Sequence, residues 1–129
     1  MAKTIVKVDK LREPVGRAYS HGVRAGNLLF LAGQTGTDAN GEMAAGDFAA
    51  QTRQAFANMQ TVLEAAGGTL DNLVTMTVFI TDMRYGNEFV KLRGEILKRD
   101  FPASALIGVS QLAPPNGLIE IQAVAALDD

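Results

Sequence analysis

Leu28-Leu29-Phe30-Leu31-Ala32 is an unbroken apolar run bounded by Gly26 and Gly33. Short and closed by glycines, it reads as a buried β-strand. Side chains alternate between the two faces of a strand, so this one is apolar on both. A sheet containing it needs cover on both sides.

The chain offers two helices for that purpose. One is predicted from about Asp47 to Ala66. Asp47 can accept from orphan backbone N–H groups as N-cap. Thr52, Phe56, Met59, Leu63 and Ala66 form a stripe at helical spacing, and Gly67-Gly68 stops the helix. The second is predicted from about Tyr85 to Arg99, with Tyr85, Phe89, Leu92 and Ile96 as its stripe and Phe101-Pro102 beyond its end. Strands are expected at Ile5–Val8, Tyr19–Arg24, Leu28–Ala32, Leu73–Thr81, Ala105–Leu112 and Leu118–Ala126. A break is expected at Pro14 to Arg17. In the fourth strand, Val74, Met76, Val78 and Ile80 take one face. The order is β-β-β-α-β-α-β-β with no repeat or linker, so residues 1–129 form one domain. The fold class is α+β: about six strands in one sheet with two helices packed on one face. Two helices on one side leave the other apolar face open, which implies a homo-oligomer whose open faces meet.

Composition removes several function classes. Twelve basic against 14 acidic residues give a net charge of −2, without the basic stripe of a nucleic-acid binder. No cysteine is present, so thiol nucleophiles and thiolate metal sites are out, and a reducing, cytoplasmic setting fits. No apolar stretch approaches the ~20 residues of a membrane span, and the N-terminal residues do not read as a signal peptide. His21 is the single histidine, too little for a serine–histidine pair or a usual zinc set, and it reads as a surface or packing residue. Asp38-Ala39-Asn40-Gly41-Glu42 lacks the calcium-loop pattern and reads as a turn. Gly33-Gln34-Thr35-Gly36 lacks the P-loop lysine and reads as a strand end that something approaches closely.

Three features remain: Tyr19-Ser20-His21-Gly22-Val23, Ala32-Gly33-Gln34, and Glu120 within the apolar strand Leu118–Ala125. By alternation alone, Glu120 is a solvent-facing residue. As a functional carboxylate it would be partly desolvated at a subunit interface, with a raised pKa.

These features, with Gln51-Thr52-Arg53-Gln54, Val62-Leu63-Glu64-Ala65-Ala66-Gly67, Val78-Phe79-Ile80-Thr81-Asp82-Met83 and Phe101-Pro102-Ala103, resemble the Rid (YjgF-like) family over nearly the whole chain. That family has also been labelled translation inhibitor or endoribonuclease. The resemblance implies a chorismate-mutase-like fold and a homotrimer with ligand pockets between subunits. It implies hydrolysis of a small imine or enamine to a carbonyl compound and ammonia, with no metal or organic cofactor. Glu120 would activate the attacking water, Tyr19 would line the pocket, and Gly33, Ser104, Leu106 and Arg17 would bind substrate.

One position departs from the pattern. Deaminating members follow Phe-Pro-Ala with an arginine that grips the substrate carboxylate, whereas Phe101-Pro102-Ala103 is followed here by Ser104. Serine offers one hydroxyl and no charge. Either another cation serves, with Arg17 beside Tyr19 as the candidate and a solvated loop residue as its plainer reading, or the chain binds a metabolite without turning it over. RNA cleavage is the weakest class, given the acidic balance and the lone histidine.

Overall fold

Asp47 caps the first helix through Oδ1, which accepts from the Ala50 N–H at 3.0 Å. The computed structural model describes residues 2–14 and 16–128; Val15, inside the break expected at Pro14 to Arg17, lies outside them. Helix α1 (Phe48–Ala65) buries Thr52, Phe56, Met59 and Leu63 as its stripe requires. Gly68 N–H donates to Leu63 O at 2.8 Å and Gly67 N–H to Glu64 O at 3.1 Å, the paired bonds that satisfy the last carbonyls of a helix.

Helix α2 (Gly86–Leu97) follows a 3₁₀ turn at Met83–Tyr85 that the Asp82 side chain caps. It starts one residue later and ends two residues earlier than its pattern suggests. The early end has a local cause. Lys98 sits at φ 73°, ψ −48°, and Arg99 N–H donates to Leu97 O at 2.9 Å. That is a γ-turn with a positive φ, a strained conformation for a residue with a Cβ. Lys98→Gly is therefore expected to raise stability by about 1 kcal/mol, the relief of strain less glycine's added unfolded-state entropy. Thermal melting at one fixed protein concentration checks this; an unchanged or lower Tm would count against strain at Lys98.

Six strands form one sheet in the order β1-β2-β3-β6-β4-β5. They are β1 (Thr4–Val6), β2 (Gly22–Ala25), β3 (Leu28–Thr35), β4 (Leu73–Ile80), β5 (Ala103–Gly108) and β6 (Ile119–Ala126). The last strand inserts between β3 and β4, antiparallel to both, and β5 lies parallel to β4 at the sheet edge. Strand β5 begins two residues before its expected start and stops at Gly108, because its partner β4 ends there at Ile80. Strand β3 continues through Gly33 by way of a bulge instead of stopping at it.

Both helices cover the same face. Leu29, Leu31, Val78, Ile80, Ile119 and Ile121 point into that core. Phe56 and Phe89 stack within it at 6.3 Å, joining α1 to α2. Val74, expected on the buried face of β4, is 44% exposed. The β4–β6 register slips between Leu73 and Thr75, and that bulge turns Val74 outward. On the open face, Leu28, Phe30 and Ile107 are exposed. Among the described residues no helix is long and apolar enough to cross a membrane.

Candidate functional site

The bulge in β3 brings backbone to the carboxylate of β6. Pairing passes from Leu31–Ala123 to Gln34–Ile121, so Ala32 and Gly33 together oppose Gln122. At Gly33 a Cβ would stand 2.9 Å from Glu120 Cδ and closer still to Oε2. Glycine is the residue that leaves room for that side chain. Glu120 itself pairs with Thr35 on one side and Phe79 on the other, in the middle of the open face.

Glu120 is half-buried. Desolvation raises its pKa above the ordinary glutamate range, and among the described residues no hydrogen bond or neighbouring cation opposes that shift. This is the electrostatic state required of a carboxylate that takes up a proton during a reaction.

A buried amide network of α1 holds the strand end that faces it. Asn58 Nδ2 donates to Thr35 O at 3.1 Å and Thr37 O at 2.8 Å, and Gln54 Nε2 donates to Asn58 Oδ1 at 2.9 Å. Gln51 Nε2 donates to Ala44 O at 3.0 Å and Asn116 O at 3.1 Å, while its Oε1 accepts from Leu118 N–H at 2.8 Å. Gln51 thereby fixes the start of β6, two residues before Glu120. The helical stripe of Thr52, Phe56, Met59 and Leu63 does not include this network, but the sequence carries a signal of it: Phe48, Gln51, Ala55, Asn58 and Val62 make a second buried stripe with two amides in it.

His21 joins the same end of the sheet. Its Nδ1 lies 3.1 Å from Gln34 Nε2, and its Nε2 lies 2.9 Å from Arg12 O. The amide donates to Nδ1 and the Nε2–H donates to the carbonyl, so both ring nitrogens are spent on packing contacts. Tyr19 stacks edge-on to His21 at 6.1 Å and is half exposed over a groove of about 280 Å³ shared with Ile5 and Glu13.

The expected binding residues are only partly gathered within one chain. Gly33 meets Glu120, and Tyr19 stands at the same sheet end through His21 and Gln34. Arg17 is exposed, and its backbone N–H donates to Pro14 O at 3.1 Å. Ser104 and Leu106 lie on β5 in register with Met76 and Val78, on the helix-covered face opposite Glu120. Ser104 Oγ is 2.7 Å from Arg93 Nη1, a residue the sequence pattern did not single out. Among the described residues no cluster of three or more His, Cys, Asp or Glu could hold a metal. The turn at Asp38 is held by its own side chain, whose Oδ1 accepts from Asn40 and Glu42 N–H, both at 2.9 Å.

Comparison with known proteins adds ancestry to this geometry. The family described as endoribonuclease L-PSP matches residues 10–127. A RutC family protein of Pyrococcus horikoshii is 39% identical over 127 residues, covering 95% of this chain and 97% of its own. A 2-iminobutanoate/2-iminopropanoate deaminase of Dermatophagoides farinae is 31% identical over 127 residues, covering 98% of each chain. Among solved structures, YyfA of Yersinia pestis, described as a protein of unknown function of the conserved Rid family, superimposes with a TM-score of 0.92 at 30% identity, covering 98% of this chain and 100% of the other.

Proposed function

Because the chain belongs to the endoribonuclease L-PSP family, the family of Rid and RutC proteins, we propose that it hydrolyses a small imine or enamine to a carbonyl compound and ammonia. The observation that carries this reading is Glu120: a half-buried carboxylate whose pKa is raised by desolvation and which backbone approaches at Gly33. A relative named for deamination of 2-iminobutanoate and 2-iminopropanoate supports the choice of substrate class.

The chemistry asks little of the protein. An imine carbon is already electrophilic. Glu120 takes a proton from water as the oxygen adds to that carbon, the C=N electron pair moves to nitrogen, and Glu120 hands that proton to the nitrogen, giving a neutral carbinolamine. Glu120 then takes the hydroxyl proton as C=O forms and delivers it to nitrogen as the C–N bond breaks, so that ammonia leaves and the carboxylate is restored. Imine plus water gives carbonyl plus ammonia, with no redox change and no cofactor. Orientation supplies most of the acceleration, and the carboxylate supplies general base and acid. Tyr19 lines the pocket; Gly33, Ser104, Leu106 and Arg17 make up the binding set.

The pocket lies between subunits of a homotrimer. Two features support this. Two depressions on the surface of the single chain, one lined by Leu70, Leu97 and Pro102 and one by Ile5, Glu13 and Tyr19, do not include Glu120. The open face that carries it also exposes Leu28, Phe30 and Ile107. A second chain laid on that face would cover the apolar groups and enclose the carboxylate. A cytoplasmic location belongs to the same reading.

Ammonia release from enzymatically generated 2-aminoacrylate and 2-iminobutanoate tests the activity, with sedimentation of the same sample for the trimer. A rate no greater than spontaneous hydrolysis would discard the deaminase. The uncharged Ser104 favours one alternative, a non-catalytic metabolite binder, which would bind such ligands without releasing ammonia.

A further inference from the structure

The α2–β5 edge carries a cation that no carboxylate among the described residues neutralises. Arg93 is half-buried, and its guanidinium stands 4.9 Å from the centre of the Phe89 ring. Its Nη1 donates to Ser104 Oγ at 2.7 Å. No carboxylate pairs with it among the described residues, whose ion pairs are Lys7–Asp9, Arg53–Glu95 and Arg84–Asp82. A guanidinium has five N–H donors in a planar fork, and Ser104 takes one. The rest of the fork is left without an anion in a place where burial lowers the pKa.

The surroundings are apolar and shaped by two glycines. A Cβ at Gly86 would lie 3.7 Å from Leu106 Cδ2 and 3.4 Å from Met83 Sδ, and one at Gly108 would lie 3.4 Å from Met83 Cε. Met83, Gly86, Val90 and Arg93 follow one another at helical spacing, so this side of α2 runs along β5 from Gly108 towards Ser104. Met83 and Val90 are exposed, and β5 is one of the two edge strands of the sheet. The result is a short apolar strip ending in a fixed, unneutralised fork.

We infer that Arg93, oriented by Ser104 and Phe89, is the carboxylate anchor of the substrate, and that the strip along Leu106 and Met83 takes a short aliphatic side chain. The assignment rests on the deaminase reading and on its placement of the pocket between subunits. Ser104 and Glu120 lie on opposite faces of one sheet, so the anchor of one subunit serves the carboxylate of a neighbour. Ser104 then acts as a positioning residue.

The test separates the anchor from the chemistry. Arg93→Ala should raise KM for 2-iminobutanoate at least about 10-fold, since a desolvated charge partner is lost. KM for the corresponding uncharged imino amide should stay the same, and Arg93→Lys should recover part of the loss. Ser104→Ala should raise KM less, with kcat kept. Mixing Arg93→Ala with Glu120→Gln subunits under exchange conditions should restore activity that neither variant has at low substrate concentration. Binding of 2-oxobutanoate, followed by calorimetry, reads the anchor without turnover: it should weaken in Arg93→Ala and persist in Glu120→Gln. If no imine is turned over but this Arg93-dependent binding remains, the deaminase reading fails and the anchor stands. Equal 2-oxobutanoate affinity in wild type and Arg93→Ala, or a larger loss from Arg17→Ala, would overturn the anchor whatever the activity.

Discussion

Glu120→Gln is expected to lose about 10²- to 10⁴-fold in kcat for imine hydrolysis while gaining stability at neutral pH. The two effects share one cause. Burial raises the Glu120 pKa in the folded protein above its unfolded value. Between those two values the native state holds more protons than the unfolded one, so stability falls as pH rises through that window. Below the ordinary glutamate pKa, both states are protonated and the penalty vanishes. Glutamine keeps the shape without a charge to desolvate, so the variant should melt higher than wild type at pH 7 and equal to it in mild acid. Wild-type activity should rise with pH as Glu120 ionises in its raised range, and the residual activity of the variant should lack that limb. A variant with wild-type kcat would remove Glu120 from the chemistry. One with low kcat and a lower Tm at pH 7 would show that the side chain serves packing. Gly33→Ala offers a second route to the same carboxylate. Its Cβ would meet the movable end of Glu120, not backbone, so it should cost activity with little loss of fold.

Much of this architecture is legible from local pattern. The Asp47 cap, the glycine stop at Gly67-Gly68, and the stripe of Thr52, Phe56, Met59 and Leu63 depend on interactions within a few residues, and the structure places them as expected. So does the alternation of β6, which sends Ile119, Ile121, Ala123 and Ala125 inward and leaves Glu120 on the other face. What the sequence concealed depends on pairing between distant segments. The register slip that exposes Val74 is a property of β4 against β6, not of β4 alone. The same holds for the bulge that carries β3 past Gly33. Arg93 was hidden for a related reason. On α2 it looks like one more charged residue of a solvated face, and its meaning appears when β5 brings Ser104 within 2.7 Å. The family resemblance marked Ser104 as a place without the expected arginine, and a guanidinium stands beside it on the neighbouring helix.

Gly36→Ala should be the most damaging substitution at the site that leaves every titratable group untouched. A Cβ at Gly36 would lie 2.5 Å from Gln51 Cα and 2.6 Å from Gln51 Cβ. Unlike the obstacle at Gly33, this one is helix backbone and cannot swing aside. Either α1 lifts from the end of β3 or β3 shifts from α1, and overpacking of this kind typically costs about 1–3 kcal/mol. The displacement would also reach the Gln51 amide, which is fully buried and bonded on both its nitrogen and its oxygen. Each buried polar group left unpaired adds about 1–3 kcal/mol. A total loss of about 3 kcal/mol or more is expected, a drop in Tm of roughly ten degrees for a domain of this size. Function should suffer beyond stability, because Gln51 fixes Leu118 N–H at the entry to β6 and Asn58 fixes Thr35 beside Glu120. Kinetics at a temperature where the variant is still folded separate the two contributions. Reduced kcat with wild-type 2-oxobutanoate binding would mean that the amide network positions Glu120 and leaves the anchor alone. Wild-type stability in Gly36→Ala would mean that α1 and β3 yield to a methyl group, and the clamp described for Gln51 and Asn58 would lose its rigidity.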